Sequence, residues 1–141
     1  MRKHPYQQLL EKKRVWTPVK TSKGKLKDGA EETIYRALAV RVMELPVGDF
    51  IREAVSELPE ASRELLQSNV KDEERHDLAL HYVTEAHGVD EKAEAEAKLL
   101  RDAWVDHPDH TVLKALVAER AIFFVLLPFF RYCGDSGIRT V

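Results

Sequence analysis

The sequence predicts an all-α domain. Apolar residues recur at three- and four-residue intervals through long stretches, and these stretches stop at Pro59, Gly88 and Pro108. No alternating apolar and polar run is long enough for a strand. At 141 residues the chain can bury a core within one domain.

Residues 1–28 are expected to form a basic N-terminal arm, and residues 29–141 a helical domain. The arm carries nine Lys and Arg against two acids, a net +7, which leaves −9 for the remainder of a chain whose total is −2. Pro5, Pro18, Gly24 and the Lys20–Lys27 segment break any period, so an extended or locally helical arm is expected. Its few aromatics, Tyr6 and Trp16, and the lack of a basic recognition helix point to a solvated or packing arm rather than a nucleic-acid binder.

From Ala30 to Leu45 the pattern is helical and apolar almost all round apart from Arg36 and Arg41, which marks a buried helix. Pro46 and Gly48 are expected to interrupt it. Phe50, Ile51, Ala54, Val55 and Leu58 then define a short amphipathic helix stopping near Pro59. A long helix is predicted from Glu60 to Ala86, with Gly88 closing it. Its core face reads Leu66, Val70, Glu73, His76 or Asp77, Leu80 and Val83, so polar residues stand where the period asks for apolar ones. Asp90–Trp104 is a helix by propensity. A last helix is expected from Asp109, as N-cap, to Tyr132, kinked at Pro128 and supplying core aromatics from Phe123, Phe124, Phe129 and Phe130. Gly134–Gly137 reads as a turn, and Ile138–Val141 as the opening of another element.

The sole cysteine, Cys133, leaves no intrachain disulfide framework and suits a reducing compartment. The basic N-terminus is not followed by an apolar run, and the longest apolar stretch, Ala121–Phe130, is ten residues, too short to span a bilayer. A cytoplasmic protein without membrane association is expected.

The chemically informative segment is Glu73-Glu74-Arg75-His76. Glu73 and His76, at i and i+3, share one helix face and can serve one metal or bridge to a second. Glu44 lies within Ala37–Leu45 and Glu119 within Leu116–Phe124, both apolar runs, and a carboxylate buried there must be neutralised by a proton, a cation or a metal. The competing reading pairs Glu44 with Arg41, and Glu119 with the surroundings of Arg120 or with Arg36, as structural salt bridges.

Asp72-Glu73-Glu74-Arg75-His76-Asp77, the Glu44 helix, and Val117–Phe124 with its aromatic-rich continuation together resemble the ribonucleotide reductase small subunits and related di-iron oxygenases, over about residues 30–141. The resemblance implies a ferritin-like helical bundle. It implies Glu44, Glu73, His76 and Glu119 as metal ligands, Asp72 as a partner holding a histidine, and two iron ions or manganese as cofactor. It also implies an oxidoreductase that activates dioxygen. Two positions depart from the pattern. Leu80 stands where radical-generating subunits commonly carry tyrosine, so a standard tyrosyl radical is not expected. The second Glu-x-x-His should follow Glu119 by roughly thirty residues, on the next helix. The expectation is therefore an incomplete bundle lacking its last ligand-bearing helix, completed by a homo-oligomer or a complementing chain, with the metal absent if nothing completes it. The alternative is a non-catalytic helical interaction protein that retains the fold.

Overall fold

The computed structural model describes residues 2–140, with Thr140 described by its backbone alone; Met1 and Val141 lie outside the described residues. The described residues form helices and connecting segments, with no strand. Among them no helix is long and apolar enough to cross a membrane.

A short helix α1, Pro5–Lys12, opens the chain, with Pro5 in its first turn, where a missing N–H costs no bond. Helix α2, Glu31–Ala39, begins with two acids at its positive end and buries Ile34, Ala37, Leu38 and Ala39. A tight 3-10 turn, Val40–Met43, leads into α3, Glu44–Ala54. The break thus falls ahead of Glu44 and not at Pro46 and Gly48, which both lie within α3. Pro46 sits in the first turn of α3, where backbone N–H groups have no intrahelical acceptor, so proline is tolerated there.

Helix α4, Glu60–His87, runs 28 residues, a length of about 42 Å at 1.5 Å per residue. It starts after Pro59 and stops at Gly88, whose φ of 89° suits glycine and whose N–H reaches the Thr84 carbonyl at 2.8 Å. Helix α5, Glu91–Val105, is capped by Asp90, whose carboxylate accepts from the Ala93 N–H at 2.8 Å. Its Ala93 and Ala97 pack on Ala39 and Val42, small side chains that allow a close approach to the end of α2.

The last helical run comprises α6, Thr111–Val117, a wide π turn at Ala118–Ile122, and α7, Phe123–Tyr132. Its N-cap is His110 and not Asp109: the His110 ring accepts from the Val112 N–H at 3.2 Å. The irregularity lies at Glu119, while Pro128 is inside α7. The expected aromatic core is also corrected. Phe130 alone of that set is buried, Phe123 is partly buried, and Phe124 is 75% exposed. An apolar run that continues around the whole helix cannot turn every side toward α2 and α3.

Helices α2 and α3 pack on α4 on one side and on α6 and α7 on the other. Helices α4 and α6–α7 therefore face each other across a groove whose floor is α2–α3. One core cluster joins Ile34, Leu38, Leu80, Val83, Phe130, Cys133 and Ile138, and a second joins Val47, Phe50, Ile51, Val70, Ala115 and Ala118. The Gly134–Gly137 turn leads to a 3-10 turn at Ile138–Thr140 and is clasped by the arm. Asp135 accepts from the N–H groups of Gly24 and Gly137, each at 2.6 Å, and pairs with His87 at 2.8 Å.

Candidate metal centre

The 3-10 turn aims Glu44 inward from the first position of α3, and the long α4 sets Glu73 and His76 opposite it, one helical turn apart. Ligand atoms of Glu44, Glu73 and His76 lie within 4.8 Å of one another, and this group could hold a metal ion. Glu44 is 3% exposed and Glu73 is 2% exposed. His76 Nδ1 stands 3.5 Å from Glu44 Oε2 and 3.4 Å from Glu73 Oε2. The first distance suits an ion pair but is long for a hydrogen bond, and Glu44 Oε2 has no hydrogen-bond partner at all.

Glu119, within the π turn, stands on the rim of this group. It is exposed as a residue and, with His76, lines both of the cavities that meet here, of about 470 and 520 Å³. The inner cavity is walled by Ala37, Val40, Leu80, Phe123 and Phe130; Leu66, Ala115 and Leu116 line the other. A π turn inside an α-helix shifts the following side chains around the axis and recurs at functional sites.

The site gathers three carboxyls around one imidazole. Burial raises the carboxyl pKa of Glu44 and Glu73, with His76 acting against it. Partial burial of the Glu119 carboxyl and the neighbouring Glu73 charge push Glu119 up to about 7. Burial alone would lower His76, but the two carboxylates outweigh it and raise the imidazole to about 10. Glu73 and Glu119 act on each other directly, so their protons belong to the pair.

Arg36 and Arg41 are engaged elsewhere, while Arg120, which lines the same cavity as Glu119, favours the charged form of that carboxyl. Arg41 binds Asp77 with two nitrogens, at 2.8 and 3.2 Å. Arg36 binds Glu32 and Glu96 at 3.3 and 3.1 Å. Asp72, expected to hold a histidine, instead pairs with Lys13 at 2.5 Å and Arg75 at 2.9 Å, because its side chain points toward the arm. Keeping a carboxylate buried without a full partner costs several kcal/mol, whereas the surface pairs recover about 0–1 kcal/mol each.

Three features had no periodic signal in the sequence. Trp16 of the arm stacks on the His76 ring, with centroids 5.6 Å apart and planes at 25°. His87 closes α4 as its last residue and is buried there in its pair with Asp135. Arg41 and Asp77 form a pair 36 residues apart in sequence, a separation without local pattern.

No protein-family model, curated protein or solved structure matches this chain.

Proposed function

We propose that this chain is a carboxylate-type metalloprotein with a ferritin-like arrangement of helices, an oxidoreductase that uses dioxygen on a pair of iron or manganese ions. The observation that carries this reading is the buried Glu44 carboxylate, whose Oε2 makes no hydrogen bond of ordinary length and stands 3.5 Å from His76 Nδ1, grouped with Glu73. Carboxylates with one imidazole make a hard, mixed oxygen and nitrogen donor set that suits iron or manganese. Glu44, Glu73 and His76 would hold an ion, and Glu119, on the rim of the same cavities, is the carboxylate that would serve a second. Bound iron supplies the electrons for dioxygen reduction. The chain's residues provide a dry inner wall, and His76 gives up its proton as the cation enters.

The groove between α4 and α6–α7 lies open along the site, and exposed Val112, Leu116 and Leu127 line it. A helix laid in this groove covers these side chains and brings the remaining ligands, either from a second copy or from a complementing chain. The single thiol, Cys133, is buried, which suits a cytoplasmic setting.

Elemental analysis after anaerobic loading with iron or manganese tests the reading. About two ions per completed site, lost in both Glu73→Ala and His76→Ala, is the expected result; no bound ion in the parent chain overturns it. A second reading, a non-catalytic interaction protein, draws on the apolar face of α7, where Phe124, Val125, Leu127 and Tyr132 are all more than half exposed. A metal-free protein that associates through this face favours that reading.

A further inference from the structure

The segment after α1 follows the surface of α4 instead of leaving it. Lys13 Nζ is held by Asp72, Ser68 and Asn69 at 2.5, 2.6 and 2.7 Å. Trp16 lies on His76. Lys20 reaches Glu85 at 3.4 Å and stands 6.0 Å from the centre of the Tyr82 ring. The two lengths agree. Seven extended residues cover roughly 23 Å, and the stretch of α4 from residue 68 to residue 85 covers roughly 25 Å. The segment is therefore a taut strap pinned by a lysine at each end. Its midpoint delivers an indole to the open member of the Glu44, Glu73 and His76 group: the His76 side chain is 43% exposed, against 4% and 3% for Glu44 and Glu73.

The indole also closes space. Trp16 is one wall of the inner cavity that contains Glu44, His76 and Glu119, and it is itself only 38% exposed. An imidazole at the rim of a groove turns freely about its side-chain torsions unless something rests on it. Stacking confines the plane of the ring, in which Nδ1 stands 3.5 and 3.4 Å from the two carboxylates.

We propose that residues 13–20 form a strap whose Trp16 clamps the His76 ring over Glu44 and Glu73 and closes the inner cavity, so that Trp16 sets how fast a divalent cation leaves the site. This rests on the metal-site reading above. Trp16 is not itself a ligand. It acts as a positioning residue, through the His76 ring and by excluding water.

Co²⁺ is a suitable probe in the full chain carrying Trp104→Phe, which leaves Trp16 as the sole indole. Co²⁺ is expected to quench Trp16 fluorescence in step with the appearance of its visible absorption band. Glu73→Ala abolishes both signals. On mixing with excess chelator, Trp16→Ala releases Co²⁺ about 10-fold or more faster than the parent, as is typical when a group orienting a ligand is lost. Trp16→Phe, which still stacks, stays within about threefold of the parent. Release from Trp16→Ala at the parent rate, or equal rates in Trp16→Ala and Trp16→Phe, overturns the strap while leaving the metal site intact. Absence of Co²⁺ binding by the parent overturns the metal site itself, and the strap with it.

Discussion

Arg41 gives its guanidinium to Asp77 and not to Glu44, three residues along the same run, although Arg41 and Glu44 line the same cavity. The bidentate pair, at 2.8 and 3.2 Å, holds the cation away from the buried carboxylate. Asp77 thereby keeps the site negative without touching it.

Removing Asp77 should therefore weaken the site. In Asp77→Ala the freed guanidinium turns toward Glu44 and competes with metal, and divalent-cation affinity falls about 10-fold. Adding Arg41→Met to Asp77→Ala restores it. Calorimetric titration of the two variants with Mn²⁺ checks the prediction, and equal affinity in Asp77→Ala and parent would sink it.

Glu44→Gln should separate stability from binding. The amide removes a buried charge whose desolvation outweighs the help of His76 and Glu73, so the metal-free variant melts at or above the parent temperature while cation binding is lost. A clear fall in the melting temperature of metal-free Glu44→Gln would mean that the carboxylate serves packing after all.

The cluster also makes the metal-free protein sensitive to alkali. His76 is raised from 6.5 to about 10, so its contribution is fully present below pH 6.5 and is lost as pH climbs through about 10. Glu44, Glu73 and Glu119 are raised as well, and they shift in the same direction: folding favours their protonated forms, and stability declines above the ordinary carboxylate range. The melting temperature of metal-free protein should fall between pH 6.5 and 10. In the Glu44→Gln, Glu73→Gln double variant His76 loses both partners, and that fall should flatten. Saturating Mn²⁺ should remove it in the parent, because the ion replaces the protons.

The clasp at the other end of α4 behaves in the opposite sense. Burial acts to raise Asp135, but the N–H groups of Gly137, Gly24 and Ile138 and the nearby His87 prevail and lower it. Its contribution is therefore present above pH 3.8 and lost as pH falls through the lowered value. Asp135→Asn should cost about 1–3 kcal/mol in denaturant unfolding at neutral pH, since a neutral amide is a weaker acceptor for the Gly24, Gly137 and Ile138 N–H groups. Gly24→Ala should also destabilise, because a Cβ there would meet the Asp135 carboxylate at 2.7 Å. Parent-like midpoints in both variants would show that the clasp contributes nothing.

The limits of α4 were readable in the chain because they are local. Pro59 and Gly88 stop a helix by their own backbone restrictions, and the structure has α4 at Glu60–His87 against an expected Glu60–Ala86. The one-face relation of Glu73 and His76 is likewise a consequence of helical spacing. By contrast, the break at Val40–Met43, the π turn at Glu119 and the exposure of Phe124 depend on how neighbouring helices seat, and apolar periodicity does not encode that.

By itself, then, the sequence determined which stretches are helical and which residues share a face, since hydrogen bonding between residues four apart and side-chain sterics act within one segment. Only the tertiary structure decided the pairings. Glu44 meets His76, Arg41 turns to Asp77, Asp72 takes Lys13, His87 closes on Asp135, and Trp16 rests on His76. A charged or aromatic side chain on a helix can reach several neighbours of suitable chemistry. Which one it takes is set by the rotation and height at which the helices pack, and that is a property of the whole core.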